Sequence, residues 1–230
     1  MPTGSKRMWA LRGKSWNIDP APAEFTRKDG RNGPYSTDGV DMRLARYISI
    51  PTKGLLIDPE ENHIRELEQS YPIVDLAKQT RWIWSVLKRP RFWFWLASHP
   101  KYWSKFTQLR KGMVLFPGDT ALGDTQEEIE LFVNPQPEED GTPNPRLSGR
   151  VDGKSSIARL FVIIHVTAGT IHCGTKHRIR LEIKNIGDSV IILTEGMRIC
   201  QLLLDELSGE AAEDGSTFNP PEVQIVVVRS

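Results

Sequence analysis

The stretch that decides the fold is HVTAGTIHCGTKHRIRLEIKN, His165 to Asn185. Its second half, RIRLEIKN, alternates Ile179, Leu181 and Ile183 with Arg178, Arg180, Glu182 and Lys184. Successive side chains of an extended chain point to opposite faces, so these residues predict a strand with one apolar and one charged face. The first half sets three of the chain's five histidines and one of its two cysteines beside that strand. Zinc needs three or four Cys, His or carboxylate ligands whose spacing lets them converge. His172, Cys173 and His177 are available, with His165 upstream, but no second Cys/His cluster completes a tetrahedron. Cys173 and His177 flank Gly174 in a predicted turn, and His165 lies inside an apolar run as a core histidine. The expectation is therefore no zinc and no metal ligand set.

Outward from this stretch, the last third of the chain is dense in strand signal. ARLFVIIHVTAG (158–169) is a continuous apolar run of the kind buried on both faces. SVIILTEGMRICQLLLDEL (189–207) reads as a strand, a turn at Glu195-Gly196 and another strand, and EVQIVVVRS (222–230) as one more. Upstream, TDGVDMRLARYISIP (37–51) alternates Val40, Met42 and Leu44 with Asp41, Arg43 and Ala45 after an Asp-Gly turn. KGMVLFPGDTALGDTQEEIELF (111–132) adds short strands joined by Gly and Pro turns. Many short strands with turns between them predict an all-β barrel or jelly roll.

Three segments stand apart. Residues 1–36 are irregular, 60–110 read as helical pieces punctuated by Pro72, Pro90 and Pro100, and 134–149 form a Pro/Gly/acid-rich flexible surface loop. The expected organisation is an N-terminal irregular segment, 1–36, followed by one barrel domain, 37–230, carrying the helical insertion. The insertion holds five of the seven tryptophans with Lys and Arg interleaved. Trp82, Trp93 and Trp95 suit a base-stacking platform or an interfacial membrane helix, but Pro90 and Pro100 break any long amphipathic helix. Packing of an inserted helical hairpin against the barrel or a neighbouring subunit is the favoured reading.

A formal net charge of +1 provides no general field for polymeric nucleic acid, whose binding rests on many phosphate contacts, yet leaves room for a small anionic ligand. Two cysteines build no disulfide framework. No run reaches the roughly 18 apolar residues of a membrane span, and the basic N-terminal stretch lacks a signal-peptide core. The expectation is a cytoplasmic protein.

Four stretches in order resemble the motifs of the dCTP deaminase and dUTPase superfamily: TDGVDMRLARYISIP, DGKSSIARL (152–160), HVTAGTIHCGTKHRIRLEIKN and EGMRICQLLLDELSG (195–209). The resemblance covers about Thr37 to Gly209, apart from the helical insertion. It implies a distorted β-barrel of the dUTPase-like β-clip type and a homotrimer with active sites between subunits. It also implies a deoxynucleoside triphosphate substrate, with Mg²⁺ accompanying the phosphates and no zinc. The H-x-E and P-C-x-x-C signature of zinc nucleobase deaminases is absent.

On spacing alone Glu182 reads as a solvated carboxylate paired with Arg180 or Lys184. By resemblance it is the general base that takes a proton from water and relays it to the leaving amine, a role suited to a carboxylate in a part-dry pocket. Ser155 and Arg159, four apart, share one face of a helical turn. Alone they read as a helix cap and a surface cation; by resemblance Ser155 holds the water and Arg159 stabilises charge developing at cytosine C4. The resemblance further assigns nucleotide contacts to Lys154, Ser156, the backbone of Val166, Thr167 and Ala168, His172 and Gln201. Lys154 stands where the family usually carries Arg, which removes the bidentate fork.

Two departures bear on activity. His172 occupies the turn position where the dUTPase motif carries a water-activating aspartate. After Gly209 the only cation available to clamp phosphates is Arg229. The deaminase reading, dCTP to dUTP, therefore ranks above a dUTP- or dCTP-cleaving pyrophosphatase or a bifunctional enzyme. A catalytically silent nucleotide-sensing or protein-binding relative is the alternative outside enzymology.

Overall fold

A computed structural model describes residues 10–21, 25–26, 32–33, 39–51, 68–77, 90–98, 100 and 112–207. Its strands in chain order are β1 (Trp16–Asp19), β2 (Phe25–Thr26), β3 (Asn32–Gly33), β4 (Gly39–Ser49), β5 (Ile73–Asp75), β6 (Met113–Leu115) and β7 (Thr120–Leu131). They continue with β8 (Leu147–Gly153), β9 (Val162–Ile163), β10 (Thr170–Ile171), β11 (Lys176–Asn185), β12 (Ile191–Leu193) and β13 (Arg198–Glu206). Two helices are described, α1 (Pro90–Ser98) and α2 (Ser155–Ala158).

A nine-stranded antiparallel sheet runs in the order β10-β8-β13-β4-β7-β11-β9, with β1 added on β7 and β5 on β4. Its two ends, β9 and β10, are neighbours in sequence. Residues 164–169 bridge them, so the sheet curls into a half-barrel. The centre is the alternation read from the sequence. Ile179, Leu181 and Ile183 of β11 are buried and pack with Met42, Leu44, Ile129 and Leu202 in one cluster. Burying each such side chain is worth about 1.5–3 kcal/mol. Gly123 of β7 is required for that contact, because a Cβ there would come within 2.9 Å of Leu44 Cδ1. The turn at Glu195-Gly196 forms as expected, with Gly196 at φ +72.

Three expectations need correcting. The run ARLFVIIHVTAG is not a strand buried on both faces: α2 takes its start, only Val162–Ile163 pair, and Leu160, Phe161 and Val166 are exposed. The segment must cross from one sheet edge to the other, and Phe161 makes the turn at φ +57. The stretch 60–110 is not helical throughout, because Ile73–Asp75 form β5 on β4. Ser155 does not cap α2 either; the N-cap is Lys154, with no side-chain capping bond.

The segment after β7 is tied down by the Glu138 N–H donating to Thr142 O at 2.8 Å and by Asn144 Nδ2 donating to Gln136 O at 2.5 Å. It ends where Leu147 enters β8. Of the expected helical insertion, the described part includes α1, on which Trp93 and Phe94 are exposed. Trp82 and the expected strand 222–230 lie outside the described residues.

Candidate active site

Glu182 enters the site because β11 alternates: its neighbours Leu181 and Ile183 are buried, which turns the carboxylate to the other face. On one side β11 pairs with β7, where Leu122 stands opposite Glu182. On the other it pairs with β9, Lys184 opposite Ile163. Two residues beyond that pair the bridging segment brings His165 alongside Glu182. His165 Nδ1 lies 2.7 Å from Glu182 Oε2, and the Val166 N–H donates to the same oxygen at 3.3 Å. An ionised carboxylate only accepts, so the ring nitrogen facing it carries a proton. Oε1 takes no hydrogen bond among the described residues and is open to a water. The carboxylate side chain is 32% exposed and the imidazole 11%, a cleft rather than an outer surface.

A cavity of about 540 Å³ lies along the same seam, between β8 and residues 161–169. Val151 and Ile164 form its floor, with His165, Val166, Phe161 and Ile186 among its walls. Thr167 and Ala168 are exposed and outside strand pairing, and Thr167 lines the cavity.

The remaining expected residues fall in two groups. Ser155, Ser156 and Arg159 are exposed on and just after α2, and none of them bonds Glu182 among the described residues. Lys154 and Gln201 instead meet at Asp41: the ammonium pairs with Asp41 Oδ2, and Gln201 Nε2 donates to Oδ1 at 3.0 Å. The carboxylate of Asp41 thus holds Lys154 away from open solvent, its side chain only 18% exposed. His172 is exposed in the turn before β11, where Thr175 N donates to its carbonyl at 3.1 Å. Among the described residues no three His, Cys, Asp or Glu side chains are grouped to hold a metal ion.

Sequence reasoning missed the part of His165, read as a core histidine, and it missed Asp41. The signal for His165 was its position in register with Glu182 once the two flanking strands pair. Neither cysteine is prepared as a nucleophile. Burial raises the Cys173 thiol, and burial pushes the Cys200 thiol far up, with Glu127 and Asp41 adding to it. On the same face as Glu182, Arg180 Nε binds Asp124 Oδ1 at 2.8 Å. Desolvation raises the Asp124 carboxyl while Arg180 and Arg178 oppose it.

Comparison with known proteins sharpens the picture. A sequence model of the dCTP deaminase-like family matches residues 30–207. A "dCTP deaminase, dUMP-forming" of Dictyoglomus turgidum is 35% identical over 173 residues, covering 74% of this chain and 81% of that protein. Another of that description, from Methanothermobacter thermautotrophicus, is 31% identical over 179 residues, covering 74% and 80%. A dCTP deaminase of Halorubrum lacusprofundi is 40% identical over 98 residues, 43% of this chain and 42% of that protein. The chain spans between 42% and 50% of the haloarchaeal relatives that it matches at this level. Among solved structures, the 2'-deoxycytidine 5'-triphosphate deaminase from Agrobacterium tumefaciens superposes with a TM-score of 0.51 at 17% identity, covering 87% of this chain and 45% of that one. The class is therefore a mostly β, curled antiparallel half-barrel of the dCTP deaminase and dUTPase kind. Within it, the chain belongs to the dCTP deaminase-like family.

Proposed function

We propose that the protein hydrolyses the exocyclic amine of dCTP, consuming water and giving dUTP and ammonia. The observation that carries the reading is the half-shielded Glu182, one oxygen held by His165 and the Val166 N–H and the other open. A water on Oε1 gives up a proton to the carboxylate as its oxygen bonds to C4, and Glu182 passes that proton on to ring N3, which frees the carboxylate again. The hydroxyl proton then passes through Glu182 to the amine, the C4–N bond breaks, ammonia leaves, and C4=O forms. A carboxylate in this role typically contributes about 10²–10⁴-fold.

The backbone of Val166, Thr167 and Ala168 reads the base edge. Ser155 holds the water and Arg159 meets the charge that develops at C4. The side chains of Ser155, Ser156 and Arg159, on and just after α2, are exposed in the single chain, which supports a homotrimer in which a second copy supplies them to the cleft. Ser156 serves the phosphates, with His172 at the edge of the pocket. Mg²⁺ arrives as part of the substrate, bound by phosphate oxygens and water, as its preference for hard oxygen ligands dictates. The reading keeps the protein in the cytoplasm, with no polymeric nucleic acid and no membrane as partner; no helix among the described residues is long and apolar enough to span one.

The test is incubation of the purified protein with dCTP and Mg²⁺, following ammonia and separating the nucleotides. Ammonia release that is lost in Glu182→Gln supports the reading; no release from the wild type sinks it. A second reading, further cleavage to dUMP and pyrophosphate, is favoured by the names of the Dictyoglomus and Methanothermobacter relatives. His172 argues against it, since an imidazole brings no carboxylate to the Mg²⁺-bound phosphates. The same chromatogram decides, dUTP against dUMP. Nucleotide binding without either product would leave the silent-relative alternative standing.

A further inference from the structure

Asp41 is a heavily partnered buried group outside the cleft. Its side chain is fully buried, and three residues from distant parts of the chain converge on it. Lys154 pairs with Oδ2, Arg198 Nη1 approaches Oδ2 at 3.5 Å, and Gln201 Nε2 donates to Oδ1 at 3.0 Å. Gln201 sits directly across from Asp41 in the β13–β4 ladder, so that contact is set by register. Two residues along β4, Arg43 Nε binds the fully buried Glu127 at 2.6 Å. Lys154, Arg198 and Arg43 thus face Asp41 and Glu127, three cations against two carboxylates. A buried carboxylate is retained at a cost in desolvation unless its partners are held in good geometry.

Lys154 is where this cluster meets α2. Its carbonyl accepts the N–H groups of both Ile157, at 2.8 Å, and Ala158, at 2.9 Å, so the helix is built on that one residue. Its own N–H donates to Ile199 O at 3.4 Å. Fixing the Lys154 side chain on Asp41 therefore fixes the first turn of α2, and with it the direction in which Ser155 and Arg159 project.

We propose that Asp41 is a positioning residue: by holding Lys154, Gln201 and Arg198 at one buried point it aims the Ser155–Arg159 arm, which the cleft of a second copy receives. This rests on the deaminase reading for its kinetic consequence, but not for its structural one. Asp41→Asn keeps the volume and an acceptor for Gln201 while removing the charge that binds Lys154. The ammonium is then released towards solvent and phosphate, so substrate binding holds or tightens while the arm loses its aim.

The experiment is hydrogen exchange and steady-state kinetics on the full chain, comparing wild type, Asp41→Asn, Lys154→Met and the double variant. In Asp41→Asn the amides of Ile157 to Phe161 exchange about tenfold faster or more, while those of β7 and β11 keep their protection. The kcat for dCTP falls by about tenfold or more with KM unchanged or lower, the split expected when orientation rather than binding is lost. Lys154→Met reproduces the exchange change, and the double variant adds nothing to it. Unchanged exchange at Ile157 to Phe161 in a folded Asp41→Asn overturns the proposal, as does a KM increase at constant kcat. Should Asp41→Asn not fold, the same exchange and kinetic readouts on Lys154→Met decide. If the wild type turns over no dCTP, the deaminase reading fails, and the exchange measurement alone still decides the role of Asp41.

Discussion

The two halves of the candidate site are built differently. The β11 half is complete within one chain: Glu182 is aimed by strand alternation, backed by Leu181 and Ile183, and oriented by His165 and the Val166 N–H. The α2 half is a short turn whose exposed Ser155 and Arg159 side chains form no hydrogen bond to that machinery among the described residues. A carboxylate alone can hold a water but has nothing opposite to stabilise the charge its attack creates. Under the proposed reaction, the difference assigns the base to a rigid sheet and the polarising cation to an arm that a second copy would meet.

The strongest way to break this contrast is on the β11 half. Glu182→Gln is expected to lower ammonia release by about 10²–10⁴-fold, whereas Lys184→Gln, on the same face and exposed, leaves it within about twofold by the same criterion of a missing proton shuttle. Loss in both variants would mean that the face matters only as a charged surface. On the α2 half, Arg159→Ala is expected to cost about 10²–10³-fold, the usual price of losing one charge-stabilising donor. Its melting temperature should stay within about 2 °C, because exposed positions contribute within roughly 0.5 kcal/mol.

A stability comparison sharpens the same point. Leu181→Ala, fully buried between two outward charges, should destabilise the fold by about 2–5 kcal/mol through the cavity it leaves. Urea unfolding measures this, and a loss below about 1 kcal/mol would place the strand outside the core. The smallest effect concerns Asp124. Its carboxyl is raised by desolvation, so the folded chain holds that proton more tightly than the unfolded chain. Its contribution to stability is therefore fully present below the ordinary carboxylate value and is lost as pH rises through the folded value. The wild-type melting temperature should accordingly fall relative to that of Asp124→Asn as pH rises from acid towards neutrality; a wild type that instead gains on the variant would contradict the assignment.

How much of this was legible in the sequence follows from range. The faces of β11 and the turn at Gly196 were readable because alternation and glycine are local signals. The run from Ala158 to Gly169 was misread because apolar composition does not report that a segment must cross between sheet edges. The role of Asp41 was missed because Lys154 and Gln201 lie 113 and 160 residues away, beyond any local pattern. Motif resemblance brought Glu182, Ser155 and Arg159 together by name. It carried no information on which of them one chain can bring together in space.

The central claim is that Glu182 of one copy works with Arg159 of another. It is tested most directly by ammonia release from dCTP in protein co-expressed from equal amounts of Glu182→Gln and Arg159→Ala chains. Each variant alone should be nearly inactive. If each cleft takes its base from one copy and its cation from the next, random assembly restores about a quarter of the wild-type sites. Activity no greater than the sum of the two separate variants, or a wild type that releases no ammonia, would contradict the account.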